Sequence, residues 1–374
     1  MPLSKLQFKP GINREGTNYS NEGGWFNGDK IRFRAGYAER IGGWTRVSNT
    51  QVTGTPRKIF DFVTLSSQNL LFIGTEQKVL LENAGTFSDI TPIRSTVTLG
   101  SDPVNTTGGA GSGVVTVTTQ AAHGAITGDF VTLASLTATD GITTGQLNKE
   151  HAITSVPSTT TFTIDTGGSA SSGSTAGGGS SGTAAFQINI GLNTTVLGSG
   201  WGAGTWGRFT WGSAAGSLSG QTLRLFFADN FGEDLLFNIA DGSIFYWDAT
   251  NGTSTRAVAL TSLTGASDVP TVARKVLVSD VDRHVIVFGT NPIGSATLDP
   301  LLIRFGSQES LTDFTPTATN TAGDLRLSKG SEIITAIQTS RQILVFTDQS
   351  LYSMQFIGAP FTFGISLLGD NIRI

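Results

Sequence analysis

The feature that most constrains this fold is an apolar motif that recurs along the chain. Residues 69–92 and 284–316 share one order of features: an apolar run ending in Phe, Gly and Thr, a polar turn, a second apolar run, and a terminal Asp-x-Thr-Pro. Residues 222–248 and 342–358 carry less complete copies. Such self-similarity indicates a repeated supersecondary unit, so it bears on the architecture before any single residue does.

The apolar runs within these copies predict β-strands. They are short, rich in Phe, Val, Ile and Leu, and stopped by Gly, Asp or Asn, which favours strands buried on both faces over helices. An isolated hairpin cannot bury its faces, so the copies must pack on one another. Radial stacking of small antiparallel sheets predicts an all-β fold, a β-propeller of repeated antiparallel blades. The copies begin near Asn69, Thr222, His284 and Gln342.

The Asp-x-Thr-Pro tails predict turns that close a blade. Asp89 and Asp313 can cap the turn backbone with their carboxylates. Pro92 and Pro316 end the strand because proline has no N–H for the ladder. A metal or catalytic role for either Asp has no second acid beside it in the sequence.

An abrupt change of composition marks an inserted module. Residues 96–184 are dominated by Gly, Ser, Thr and Ala, and Lys149 is their only Lys or Arg. Alternating apolar residues between 114 and 165 predict a small antiparallel β-module with hairpins at His123-Gly124 and Asp140-Gly141. Its Gly/Ser-rich flanks are typical of flexible tethers, which predicts a domain inserted at a surface loop.

The predicted domain organisation follows from this insertion. Residues 185–191 are expected to resume the interrupted sheet. The last strand, within FGISLLGDNIRI, is expected to leave its sheet unfinished, to be completed by the N-terminal segment, another chain or a separate C-terminal piece. The predicted domains are an aromatic and basic N-terminal segment that joins the propeller (1–56), a first blade (57–95), the inserted β-domain (96–184) and the remaining blades (185–374).

Two groups of residues are candidate interface or channel contacts. Lys30, Arg32 and Arg34 alternate with apolar residues, which predicts a strand with one basic face. That face suits DNA phosphate or an acidic partner, or else it is solvated and pairs with acids of the same segment. Those acids are Glu22, Asp29 and Glu39.

A tryptophan-rich loop forms the second group. Trp201, Trp206 and Trp211 follow one another at five-residue spacing among glycines. Tryptophan is over-represented in interface hot spots, which favours a contact function. The alternative is a loop that covers the end of the propeller, with the rings as anchors.

The composition argues against enzyme chemistry. The chain has no Cys and three His, and neither His nor acid spacing matches a metal site, a nucleophile motif or a phosphate loop. We therefore predict no catalytic residue, metal or cofactor. Carboxylate pairs of the glycosidase type remain a candidate because residues 229–241 are acidic, although Asp is common in blade turns. These acids are Asp229, Glu233, Asp234 and Asp241.

Charge and hydropathy limit the partners and the location. The net charge is −4 and the isoelectric point about 5.4, so no overall basic field attracts nucleic acid. Residues 1–16 lack the apolar core of a signal peptide, and no apolar run is long enough for a transmembrane helix. The absence of Cys is compatible with folding in a reducing cytoplasm.

Several stretches resemble a known family. GWFNGDKIRFRAGYAERIGGW, the blade ends FSDITP and LTDFTP, and the loop GWGAGTWGRFTWG resemble tail-hub proteins of short-tailed bacteriophages, a group that includes nozzle (tail tubular) and packaged-DNA-stabilisation proteins. The resemblance covers about 1–95 and 185–374. The run VTVTTQAAHGAITGDFVTL is similar to small β-modules inserted in phage structural proteins. Family members usually carry more propeller after the point where this sequence ends.

The resemblance implies a virion structural protein, not an enzyme. It implies a propeller built into a ring of identical subunits, usually six, around the DNA exit channel of the tail. Such a ring would retain packaged DNA and pass it during ejection without sequence-specific binding. Its partners would be adaptor or portal-side tail proteins and tail fibres, and it would be made in the host cytoplasm. The alternatives are a host-glycan-binding tail fibre or adhesin, and a glycan-cleaving propeller.

Overall fold

The protein is all-β, as expected from its apolar runs, and a computed structural model gives its architecture. The structure describes residues 9–17, 19–43, 45–46, 48–188, 225–358 and 361–372. The chain forms two compact units, Met1–Asn49 and Thr50–Ile374. No helix among these residues is both long and apolar enough to cross a membrane.

The described residues of the first unit include a hairpin. Strand β1 (Ile31–Arg34) pairs antiparallel with β2 (Tyr37–Arg40). Ala35 and Gly36 form the turn with φ of 49° and 85°, the left-handed conformation that a tight two-residue hairpin turn requires. The Trp25 and Phe33 rings meet edge to face, with 6.0 Å between their centroids.

The second unit begins with a four-stranded antiparallel meander, called sheet A here, in the order β3-β4-β5-β6. The Phe, Leu, Ile and Val content of its first three strands explains why they are strands. Its strands are β3 (Pro56–Val63), β4 (Asn69–Thr75), β5 (Val79–Asn83) and β6 (Thr86–Asp89).

A closed barrel follows sheet A. Six strands pair in the order β7-β13-β9-β10-β11-β8, and β8 returns to β7, so the ring of hydrogen bonds is closed. A short strand β12 pairs with the C-terminal end of β7, and helix α1 (Thr144–Leu147) precedes β10. The strands are β7 (Ile93–Thr106), β8 (Val114–Thr119), β9 (Phe130–Ala134), β10 (Glu150–Ser158), β11 (Thr161–Asp165), β12 (Ala176–Gly177) and β13 (Thr183–Gln187).

The barrel has its own hydrophobic core, but its connections differ from the predicted ones. The predicted hairpin at His123-Gly124 is wrong, because β8 pairs with β7 and β11 and not with β9. Instead, His123 is buried in the core and stacks on Phe186 at 5.3 Å. Residues 185–187 do not resume sheet A, because β13 pairs with β7 and β9 inside the barrel. Asp140 and Gly141 do form a tight turn, with φ of 49° and 86°.

Three further four-stranded antiparallel meanders follow, here called sheets B, C and D. Sheet B contains β14 (Phe226–Phe231), β15 (Asp234–Ile239), β16 (Ile244–Trp247) and β17 (Val258–Ala259), with short 3₁₀ helices at Ala249–Asn251 and Leu260–Ser262. Sheet C contains β18 (Ala273–Val278), β19 (Val285–Thr290), β20 (Asp299–Phe305) and β21 (Gly323–Arg326). Sheet D contains β22 (Ile333–Gln338), β23 (Ile343–Thr347), β24 (Ser350–Gly358) and β25 (Thr362–Asp370).

These four sheets pack face to face in chain order. One core joins sheets A and B through residues such as Phe72 and Phe237, a second joins B and C, and a third joins C and D. Sheets B and C are therefore covered on both faces, as the continuous apolarity of their strands predicted. All six residues of β19, for instance, are buried.

The predicted repeat copies do contain strands, but the copies do not all begin at the same strand of their sheets. The apolar runs near Asn69, His284 and Gln342 are the second strands of sheets A, C and D. The run near Thr222 contributes the first strand of sheet B, β14, so its predicted equivalence to the others is wrong. Sheet D has four strands like the other three, so the expectation of an unfinished last sheet is also wrong.

The predicted turn caps are present. The Thr91 N–H donates to the Asp89 carboxylate at 2.9 Å, and the Thr315 N–H donates to Asp313 at 3.4 Å. The buried guanidinium of Arg304 donates to the carbonyl of Phe314 and so holds the second of these turns against sheet C. The turns are thus structural features of the sheet ends.

Candidate functional site

The basic hairpin of the first unit is the candidate contact site predicted from sequence. β1 alternates half-buried Ile31 and Phe33 with exposed Arg32 and Arg34, so one face is basic as predicted. Arg32 Nε donates to Glu39 Oε1 at 2.6 Å, so one of the weighed intramolecular acids takes part of this charge. Lys30 precedes the strand with φ of 55° and is exposed, as Arg32 and Arg34 are.

A concave surface lies at the base of this hairpin. A cavity of about 540 Å³ is lined by Lys30 and Arg40, which are cationic, and by Asp29, Ile31, Gly42 and Gly43. Ammonium and guanidinium groups bind phosphate or carboxylate oxygens through charge-assisted hydrogen bonds. Arg40 was not among the predicted contacts, although the hairpin register places it opposite Ile31, next to Lys30. The Gly36 turn was the signal that would have revealed this pairing.

The tryptophan loop cannot be compared with this site. Trp201, Trp206 and Trp211 lie outside the residues that the structure describes. Their role as contacts therefore stays a prediction from the sequence.

A charged cluster, here called the joint, connects the barrel to sheets A and B. It consists of Lys78 and Asp89 from sheet A, Glu150 from the barrel and Arg256 from the segment before β17. The Lys78 ammonium donates to Asp89 Oδ2 at 2.8 Å and to Glu150. The Arg256 guanidinium lies 3.2 Å from the same two carboxylates. Two cations and two anions thus form a network of ion pairs that links sheet A, the barrel and the segment before β17.

The ion pairs of the joint are partly buried, so they are screened less by solvent than ion pairs on the surface are. The Lys78 side chain is only 5% exposed, and its ammonium lies 4.3 Å from the centre of the Phe130 ring on the barrel. Burial alone would raise the pKa of Asp89, but the Lys78 charge and hydrogen bond, a hydrogen bond from Thr91 and the Arg256 charge outweigh it and lower that pKa below the ordinary value. The amide of Gln187 adds a hydrogen bond to Glu150. The barrel is therefore held to the sheets by interlocking polar contacts.

One buried arrangement in sheet C resembles a catalytic relay in its connectivity. The Asp282 carboxylate accepts from Ser279 Oγ at 2.6 Å and lies 2.9 Å from His284 Nδ1, while His284 Nε2 lies 3.0 Å from Thr321 Oγ1. The His284 side chain has no solvent exposure, and both of its nitrogens are engaged within the fold. The relay stabilises the turn before β19, and Ser279 and Asp282 also line a cavity between sheets C and D.

The acids weighed as a glycosidase pair also serve the fold. Asp229 accepts from the Val278 N–H, and Asp234 accepts from Tyr246 Oη and the Ala249 N–H. Asp241 pairs with Arg274. Glu233 accepts from the Leu65 N–H. In the part of the chain that the structure covers, no group of three or more His, Cys, Asp or Glu residues is placed to hold a metal ion.

Comparison with known proteins gives distant structural matches. No protein-family profile matches the chain, and no curated protein matches it. Among solved structures, a phage phi92 endosialidase aligns with 80% of this chain at 11% identity and a TM-score of 0.23. The extracellular domain of a hybrid two-component system from B. thetaiotaomicron aligns with 91% at 13% identity and a TM-score of 0.20. This chain covers 42% and 49% of those two chains, and these scores carry no argument about its activity.

Proposed function

We propose that this protein is a rigid structural subunit of a short-tailed phage tail, a nozzle or hub component that forms a ring around the DNA exit channel. The observation that carries the proposal is the continuous packing of sheets A to D, to which the barrel is fixed by the joint. The acids weighed as catalytic groups and the His284 relay are hydrogen-bonded or ion-paired within this scaffold. The assignment to a phage tail rests on the resemblance of the sequence to tail-hub proteins.

Within this proposal, sheets A to D are the blades of a β-propeller. Each is a four-stranded antiparallel meander, and the first strand of each contacts the first strand of the next, β3 with β14, β14 with β18 and β18 with β22. This succession of first strands is the arrangement expected around a propeller axis. Propeller faces and edges offer the large rigid surfaces that a ring of subunits needs.

Electron microscopy of the purified full chain, and of particles that contain it, tests the proposal. The expected result is a closed ring of copies, about six by family resemblance, with the axial opening wide enough for duplex DNA. The same preparation should hydrolyse no member of a panel of bacterial surface glycans. Particles that stay monomeric under all assembly conditions, or turnover of a glycan, would contradict the proposal.

A glycan-binding role is the second candidate, and one pocket favours it. A cavity of about 230 Å³ between sheets C and D is lined by the amide side chains of Gln338, Gln342 and Gln355, by Arg341 and by the half-exposed ring of Phe356. Amides, a guanidinium and an aromatic face suit the hydroxyls and apolar faces of a sugar. Retention on host polysaccharide that Gln355→Ala or Trp206→Ala abolishes would favour this role over the ring.

A further inference from the structure

Sheet D has an apolar face that no other sheet of the described chain covers. In β23, Ile343 and Val345 pack into the core with sheet C, whereas Leu344 and Phe346 lie on the opposite face and are only partly buried. Ile337 pairs with Leu344 in register and is 49% exposed, and Leu351 pairs with Phe346. These four side chains form one contiguous patch, here called the D face.

The sequence of β23 is of the kind that other sheets bury on both sides. Strand β19 of sheet C has the same run of four large apolar residues. There, Val285 and Val287 contact sheet B, and Ile286 and Phe288 contact sheet D. Large apolar residues exposed together mark a contact surface more often than isolated ones do. The D face therefore has the composition of a surface that another sheet covers.

Sheet A has the complementary face. Its β4 residues Leu70 and Phe72 contact sheet B, which leaves Leu71 on the outer side. The register of β3 and β4 pairs Leu71 with Asp61 on that side, and Ile59 and Val63, which are 57% and 56% exposed, flank Asp61 along β3. The patch made of Ile59, Asp61, Val63 and Leu71 is called the A face.

A shared turn aligns the two end sheets residue by residue. Thr75 Oγ1 donates to the Lys78 carbonyl and accepts the Lys78 N–H at 2.8 Å, and Thr347 makes the same two bonds with Ser350. Superposing these turns places Leu71 at the position of Ile343, a residue that packs sheet D against the preceding sheet C. The A face thus corresponds to the side of a sheet that receives a preceding sheet, and the D face to the side that is covered by a following one.

We infer that the D face of one copy packs against the A face of a second copy, continuing between chains the sheet-on-sheet contact that joins A to B, B to C and C to D within a chain. This inference rests on the proposed ring and names its contact surfaces. The contact is head-to-tail, because the two faces are different surfaces, and such a contact repeats until it closes.

Sedimentation velocity on the full chain with one variant in each face tests this inference. Ile337→Arg places a charge in the D face, and Ile59→Arg places one in the A face. Both positions are about half exposed in the single chain, so the folded subunit should tolerate either change, as thermal unfolding can verify. Val258→Arg is the matched control, because Val258 is 43% exposed on the outer strand of sheet B and lies in neither face.

The expected outcome is specific to a head-to-tail contact. Each face variant should weaken self-association at least about tenfold, and the control should not. Mixing Ile337→Arg with Ile59→Arg should restore association but stop it at dimers, since one intact D face and one intact A face remain. A monomeric wild type overturns the inference together with the ring. Rings that neither variant weakens, or that only one weakens, overturn the inference and leave the proposed function standing.

Discussion

At the residue scale, a few positions decide how closely the sheets approach. Gly74 of β4 lies against the ring of Phe226 in sheet B, and a Cβ built at Gly74 would come within 2.6 Å of that ring. Phe226 is itself buried among the residues of the A–B core, so it has little room to move. The backbone of Gly74 is not in the left-handed region, so its conformation alone does not require glycine. Glycine is needed at this position because a side chain would clash with the Phe226 ring.

Replacing Gly74 by alanine should therefore destabilise the fold. We expect Gly74→Ala to lower the free energy of unfolding by about 1–3 kcal/mol through overpacking, measured by urea denaturation. Gly145→Ala is the control, because a Cβ there meets nothing within 4 Å. Equal stability of the two variants would show that the A–B core relaxes around the added methyl group.

The joint gives a second prediction at this scale. The pKa of Asp89 is lowered in the folded protein, so its ionised form stabilises the fold above the ordinary value of 3.8, and this stabilisation is lost as the pH falls below that value. Asp89→Asn should cost about 2 kcal/mol at neutral pH, because Lys78 and Arg256 lose a partner. The difference in unfolding free energy from wild type should shrink as the pH falls from 5 to 3. A difference that is independent of pH would contradict the assigned role of Asp89.

At the element scale, the barrel and the sheets are separable by their cores and connected by the joint. In the described part of the chain, the residues that form the barrel core lie between Val97 and Phe186. Its two ends meet at one place, where the Ile188 N–H donates to the Pro92 carbonyl at 3.0 Å. An insertion whose ends are this close can be removed without stretching the host sheets.

Excising the barrel should therefore leave the sheets folded. We expect a chain in which residues 93–187 are replaced by a short Gly/Ser linker to keep a cooperative thermal transition, at reduced stability because Lys78 and Arg256 lose Glu150. Residues 92–188 alone should also fold, judged by far-UV circular dichroism and a cooperative melt. A deletion chain that is insoluble, with an isolated barrel that is unfolded, would show that the two cores form only together.

Sequence reasoning succeeded at this scale where the information was local. Apolar runs located β4, β19 and β23, and the Asp-x-Thr-Pro pattern identified turns that Asp89 and Asp313 do cap. It failed where pairing is long-range. The closure of β8 onto β7 and the recruitment of Glu150 by Lys78, 72 residues away, leave no periodic signal. The run at 223–228 was misaligned because apolarity records burial and not the rank of a strand within its sheet.

At the scale of the whole molecule, the charge balance suits the conduit role that we propose. The net charge is −4, and several positive side chains of the sheets are paired with acids, as in the contacts of Arg274 with Asp241 and of Arg326 with Asp299. The exposed basic hairpin is a local exception, and Glu39 takes part of its charge. A channel through which DNA must move benefits from such a balance, because every additional phosphate contact raises affinity and slows release.

This balance predicts weak, salt-sensitive contact with DNA. In fluorescence anisotropy at 150 mM salt, the full chain should bind duplex DNA no more tightly than about 10⁻⁴ M, the weak end of non-specific binding. Arg34→Ala should leave this value almost unchanged at 150 mM salt and reduce binding measurably at 20 mM, where screening is weaker. Tyr37→Ala, opposite Arg34 in the hairpin register, is the uncharged control. Micromolar binding that persists at 150 mM salt would identify a DNA-gripping protein, because a conduit with that affinity would hold the genome instead of passing it.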